Sequence, residues 1–399
     1  MESPMSTIAE PRPFQPLGDY QPPALPAEET LRRLWSRARE TLASSDGDDT
    51  PFVDRDHLRT AKDDVLDTIV PPPACGPLER ELAAALDADE AGQARGRKLV
   101  VLPPCESGDL IADWAGRHGH RIVHPPLRSD LLARDDPKGS PLDGLDPCGD
   151  GVLVFPRLEE WALRHRDGLG HLTRLLDWLT GAERPFVIGC NAWAWAYLRM
   201  AADAHMILPA PIAGQAFDAR ALRDWFRELT EEDGTADHVF RLTTTGEDVF
   251  ALAEDGETLE CDYLVTLAAR SRGIPWVAWN LWRRSLRLGL DDEGEDVKAS
   301  KGTVEGEDTL WIAQVADATL PDTTDRMPLL ILHALLIHGT LDRQELGAVL
   351  PLDERPAVLS ALVQAGLVGC EGGRYACVAS GYPVIRDALG SAGFPMGVL

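Results

Sequence analysis

The sequence predicts an α/β fold: a parallel-sheet core, then a mostly helical region, then a small helix-and-hairpin domain at the end of the chain. Three observations carry this. From Lys98 to Ala201, short apolar runs alternate with helical stretches, the pattern of βαβ units with right-handed crossovers. The first unit, KLVVLPPCESGDLIADWA (98–115), reads as an apolar strand, a tight small-residue loop and a helix. The tail reads as three helices and a Gly-punctuated hairpin, a winged-helix order.

Taken in order, residues 1–28 are proline-rich and without helical period, so they read as an extended arm. A helical segment over 29–97 follows, with helices expected at Ala27–Ser44, Asp54–Ile69 and Pro77–Leu86. The α/β core spans 98–215, with strands at Lys98–Leu102, Arg121–His124, Gly151–Phe155, Pro185–Cys190 and Met206–Leu208. Helices are expected at Asp109–Arg117, Leu158–His165, Leu169–Leu179 and Ala192–Ala201. A mostly helical, lid-like domain covers 216–290, and an acidic low-complexity linker covers 291–326. The last domain, 327–399, holds helices at Leu329–His338, Asp342–Val349 and Glu354–Ala365 and a hairpin over Leu367–Ala379.

The 399 residues are 44% hydrophobic and 26% charged, ordinary for a globular protein with two or three domains. No apolar run approaches the ~20 residues of a membrane span. The opening MESPMSTIAEPRPFQP has no basic or apolar signal region, so a cytoplasmic protein is expected. Seven scattered cysteines without C-x-x-C spacing fit reduced thiols, and no His or Cys cluster has metal-ligand spacing. A net charge of −26 works against nucleic acid and anionic lipid as partners.

A working phosphate loop reads G-x-x-x-x-G-K-[ST], with backbone N–H groups and Lys around the phosphates and the hydroxyl on Mg²⁺. Along Pro103, Pro104, Cys105, Glu106, Ser107, Gly108, Asp109 and Leu110, only the second Gly is kept. Asp109 replaces the Lys and Leu110 the hydroxyl residue, so an anion stands where a cation should meet phosphate.

Together these elements resemble AAA+-type P-loop ATPases that end in a winged helix, over roughly 98–290 and 327–390. The resemblance implies four nucleotide-site positions. The loop is the first. After the strand Gly151–Phe155 the family places a metal-binding Asp and a water-activating Glu, and here stand Pro156 and Arg157. Glu159 and Glu160 are either a displaced acidic pair or anions at a helix start. Asn191 resembles the polar sensor of the γ-phosphate, or caps the helix after it. Arg272 resembles the lid's sensor arginine, or belongs to a turn closed by Gly273 and Pro275.

Trp276, Trp279 and Trp282 recur every third residue, as core packing or as an exposed stripe for a protein partner. Arg326–Leu399 carries five Arg, no Lys and six acids, which favours protein docking over DNA. The expectation is a catalytically degenerate, AAA+-like binding, regulatory or scaffolding subunit with no cofactor and no metal. Its partner is an unidentified protein, a second copy of the chain included. The alternatives are an ATPase that uses ATP and Mg²⁺ with displaced motifs, and a winged-helix DNA-binding regulator.

Overall fold

The computed structural model describes residues 12, 14–24, 58–60, 66–67, 70, 76–87, 96–105, 108–132, 140–232, 238–289, 308–313, 318–321, 326–350 and 356–399. In chain order the first part comprises β1 (Gln15–Pro16), β2 (Leu58–Thr60), α1 (Gly76–Asp87), β3 (Arg97–Leu102), α2 (Leu110–Arg117) and β4 (Arg121–Ile122). Next come β5 (Leu153–Phe155), α3 (Gly170–Gly181), β6 (Phe186–Asn191), α4 (Ala192–Ala201) and β7 (Pro211–Ala213). The middle region holds α5 (Ala219–Glu232), β8 (His238–Leu242), α6 (Tyr263–Arg270), α7 (Pro275–Ser285), β9 (Leu286–Gly289) and β10 (Asp308–Ile312). The last region holds α8 (Met327–His338), β11 (Thr340–Asp342), α9 (Arg343–Val349), α10 (Pro356–Gln364), β12 (Val368–Glu371), β13 (Arg374–Cys377) and α11 (Tyr382–Ser391).

The core sheet has the order β1-β7-β3-β6-β5-β4. The five strands from β7 to β4 run parallel, and β1 adds antiparallel at the β7 edge. β3 lies in the interior of the sheet with Leu99, Val100 and Val101 buried, as a parallel strand covered on both faces requires. The α/β class with a parallel central sheet is as the sequence predicts. β6 also contains Gly189, where a Cβ would meet the Pro156 carbonyl oxygen at 2.1 Å and Ile111 Cδ1 at 2.4 Å. Only glycine lets the chain leaving β5 pass this close.

Several expectations are corrected. The fifth core strand is β7, not Met206–Leu208; Ala204–Met206 forms a 3-10 turn. Pro211 opens β7, at the first strand position, where its missing N–H is tolerated. Residues 58–60, expected in a helix, form β2 and pair with β9. The lid-like region holds the helices α5, α6 and α7, and its β8 and β9 join β2 and β10 in a second sheet, β2-β9-β10-β8. The linker assigned to 291–326 contributes β10, whose Leu310, Trp311 and Ile312 are buried. The helix expected at Leu158–His165 is a 3-10 turn, Leu158–Trp161. The helix expected at Ala27–Ser44 lies outside the described residues.

Described parts of the N-terminal arm lie along the body. Arg12 pairs with Glu81 at 2.8 Å and stacks 3.7 Å from the Phe217 ring centroid. The tail has the expected helix–helix–helix–hairpin order, with β11 inserted after the first helix and α11 appended. β11-β13-β12 form its antiparallel sheet.

The tryptophans of α7 form no exposed stripe. Trp276 and Trp282 are fully buried and Trp279 is 8% exposed. Trp282 stacks on Phe226 of α5 at 4.2 Å between centroids, and Trp276 meets Trp225 edge-on at 6.3 Å. The helix is packed by α5 and β8, so the every-third-residue spacing serves the core.

Candidate functional site

Ligands of open α/β sheets sit beyond the carboxyl ends of the strands. Here the ends of β3, β5 and β6 surround a cavity of about 190 Å³. Its floor is Pro103, Pro104, Cys105, Gly108, Asp109 and Leu110 after β3, Pro156, Arg157 and Glu159 after β5, and Cys190 and Asn191 at the end of β6. Its roof is the last domain: Leu335, Leu336 and Gly339 of α8 and its end, Thr340 of β11, and Ala376 and Cys377 of β13. Three of the four resemblance-derived positions therefore meet in one place. Glu106 and Ser107 lie outside the described residues.

The floor is built around an ion pair. Arg157 Nε donates to Asp109 Oδ2 at 3.1 Å, and Arg157 Nη2 donates to the Gly108 carbonyl at 2.7 Å. Asp109 also caps α2, accepting from Ala112 N–H at 3.3 Å. In the places the resemblance assigns, the expected lysine is an anion, and the cation that neutralises it stands where the water-activating Glu is expected, with Pro156 in the metal-binding acid's place. Burial opposes the Arg157 charge, but Asp109, Glu159 and Glu160 outweigh it and hold the guanidinium above its usual range.

Glu159 is 8% exposed, and burial raises its carboxyl to about 7. It accepts from the Asn191 backbone N–H at 3.2 Å. Glu160 also lies against Arg157, 4.0 Å away. Asn191 caps α4 by accepting from Ala194 N–H at 2.8 Å. Its amide donates to Ile337 O, at 3.0 Å, in the last turn of α8. Both hydrogen-bonding ends of Asn191 are thereby used within the chain.

Arg272 does not join this group and is not among the cavity-lining residues. It sits in left-handed backbone at φ 58°, and its carbonyl accepts from Tyr20 OH at 2.8 Å. Burial, followed by the Arg386 charge, lowers its guanidinium. Gly273 follows at φ 73°, where a Cβ would lie 2.6 Å from Ala216 Cβ, and Pro275 opens α7. These features match the turn reading of this segment.

The residues present do not fit a nucleotide with Mg²⁺. No lysine or hydroxyl occupies the loop's functional positions, and Leu110 is buried at 2% exposure. The carboxylate at the expected lysine position and the guanidinium at the expected water-activating position are hydrogen-bonded to each other. The cavity is smaller than the ~300–1,000 Å³ of ordinary ligand pockets. Nor is thiol chemistry favoured: burial pushes Cys105 to about 12 and Cys377 well above its normal range, keeping both protonated. Among the described residues no group of three His, Cys, Asp or Glu could hold a metal, and no helix is long and apolar enough to cross a membrane.

Residue types alone did not single out the donors that hold the roof. Arg128 Nη2 donates to His338 O at 3.1 Å. Arg164 donates from its backbone N–H to His338 Nε2 at 3.2 Å, and from its side chain to His333 Nδ1 at 2.9 Å and Val349 O at 3.4 Å. Core groups thus satisfy carbonyls at the C-terminal ends of α8 and α9, groups that a helix leaves unpaired. Trp193 Nε1 donates to Tyr382 OH at 3.1 Å across the same joint. The visible signal was two histidines on an otherwise apolar helix.

No protein-family model and no curated protein matches the sequence. Among solved structures the chain is similar to a mutant of Thermotoga maritima RuvB, at 13% identity and a TM-score of 0.32, covering 80% of this chain and 94% of that one. A second Thermotoga maritima RuvB mutant gives 14% and 0.29, with 85% and 96% covered. The Aeropyrum pernix ORC2 protein, in ADPNP–ADP complexes, gives 10% and 0.29, with 95% and 98% covered. Likenesses this loose say nothing of ligand or partner. The strand order places the loop-bearing β3 between β6 and β7 in a parallel α/β sheet.

Proposed function

We propose that this chain is an AAA+-like protein whose nucleotide site has become a joint between its core and its last domain. On this reading it is a cytoplasmic binding or regulatory subunit that works through protein contacts, without nucleotide turnover. The observation that carries the reading is the Asp109–Arg157 pair, which occupies the positions expected of the phosphate-binding lysine and the water-activating Glu at once. Asn191 supports it, because the would-be phosphate sensor spends its amide on α8. The acidity of the chain, −26 overall, suits a basic or neutral partner surface better than nucleic acid.

The two alternatives lack such support. An ATPase with displaced motifs needs Glu159, Glu160 and Arg272 together, yet Glu159 is hydrogen-bonded to Asn191 and Arg272 lies off the cavity. A DNA reader of winged-helix type would present the third tail helix, α10. The exposed positions of α10 are Pro356, Ala357, Ser360, Val363 and Gln364, none of them charged.

Thermal unfolding with ATP–Mg²⁺ tests the proposal. A true site would gain about 2.7 kcal/mol at a hundredfold excess over its Kd. The expected result is no saturable rise in Tm. A saturable rise that Gly108→Trp abolishes would overturn the proposal.

A further inference from the structure

We propose that the joint between the core and the last domain is a proton-sensitive clamp, in which Arg164 grips two imidazoles that acidification would turn from acceptors into donors. The geometry requires both rings to be neutral. Arginine and a backbone N–H can only donate, so His333 Nδ1 and His338 Nε2 must each accept with a lone pair. An imidazolium has no lone pair at either nitrogen, so protonation breaks both bonds. It also places a cation against Arg164, and at His338 against Arg128, whose Nη2 reaches the His338 carbonyl.

The surroundings favour that charge at one point, a hydrogen bond from His333 to the Pro395 backbone, and burial and Arg164 outweigh it. His333 is walled by the Trp193 and Phe394 rings, 5.8 and 5.0 Å away between centroids. His338 is 2% exposed, and its Nδ1 is buried without a partner among the described residues. The cations around the joint are Arg128, Arg164, Arg374 of β13 and Arg386 of α11. The acids are Glu159 and Glu160 of the 3-10 turn and Glu345 of α9, which act on Arg128. Asp109, Arg157, Cys105 and Cys190 line the cavity beneath the joint, and burial holds Tyr197, Tyr382 and Cys377 above their usual range, in the neutral form. Burial, followed by Arg164, lowers His333 to about 4. Burial, Arg128 and Arg164 hold His338 well below its normal range.

The sign follows from these directions. Once released, both imidazoles return to about 6.5. The open form therefore binds two more protons than the closed form as pH falls below that value. Glu159 works the other way: closed, its carboxyl titrates near 7, and open it returns toward its ordinary range, so acidification favours closure through this group. Two imidazoles against one carboxyl leave a net uptake of about one proton on opening. The closed-to-open ratio should thus fall by up to about tenfold per pH unit between about 6.5 and 4.5.

Hydrogen exchange on the full chain reads this at the Arg164 amide, whose N–H is the donor to His338. Its protection factor, corrected for intrinsic exchange, should fall with that slope. In Glu159→Gln the opposing proton is gone and the slope should steepen toward about a hundredfold per unit. In the double variant His333→Gln, His338→Gln, which keeps neutral acceptors, the slope should reverse, because Glu159 alone remains. Wild-type protection that ignores pH would overturn the clamp, and so would a double variant that loses protection as steeply as wild type. If the double variant does not fold, Glu159→Gln decides alone, and an unchanged slope there rejects the proposal.

Discussion

Asp109 uses one carboxylate twice, capping α2 and pairing with Arg157, and the two roles can be separated by substitution. Both side chains are 37% exposed, so the pair itself should be worth no more than about 1 kcal/mol. The cap is worth about 1 kcal/mol more. Asp109→Asn keeps a capping oxygen and removes the charge, so it should cost under about 1 kcal/mol in urea unfolding, whereas Asp109→Ala should cost about 2. A double-mutant cycle of Asp109→Asn with Arg157→Ala should return a coupling of about 0.5–1 kcal/mol. Simple additivity would show the pair to be energetically idle. That an anion stands where the resemblance expects a lysine was legible in the sequence. That Arg157, 48 residues on, neutralises it was not, because a sequence does not say which side chains face each other across a sheet. Asn191 divides the same way: its cap follows from Asn before a helix, while its bond to Ile337, 146 residues away, has no local signal.

At the scale of elements, the apolar runs that became β3, β5 and β6 were readable because strands buried on both faces are continuously hydrophobic. β10 was hidden because it follows an acid-rich stretch whose composition argues for a linker, and β7 because Pro209 and Pro211 punctuate its start. Gly189 shows what a strand-level constraint looks like from inside. Its φ is unremarkable; the constraint is the Pro156 carbonyl passing where a Cβ would be. Gly189→Ala must push β5 and β6 apart at the point where Arg157 is delivered to Asp109. The expected loss is about 3 kcal/mol, the upper range for overpacking a close-packed interior. Denaturant unfolding checks this, and Gly181→Ala at an exposed helix end, where nothing lies within 4 Å, serves as the control.

For the molecule as a whole, α8 decides how the parts cohere. MPLLILHALLIH is apolar with no preferred face, and every residue from Ile331 to His338 is buried. A helix hydrophobic on all sides has to be covered on all sides. One side is served by its own domain, through β13, α10 and α11, and the other by the core, through α4 and the Leu158–Trp161 turn. The buried apolar residues form a contiguous cluster that runs from Leu99 through Trp193 and Trp282 to Leu335 and Leu389. Such continuity couples the unfolding of the parts it joins, so the last domain should not melt separately from the core. Calorimetry of the full chain at neutral pH should therefore place the loss of both in one transition, with no earlier step of the size a domain of 73 residues would give. Segment 327–399 made alone should expose the core-facing side of α8, bind a hydrophobic dye and associate. A monomeric, dye-silent segment, or a separate low-temperature transition in the full chain, would mean that the domain is a tethered module and that the joint over the 190 Å³ cavity is a loose contact.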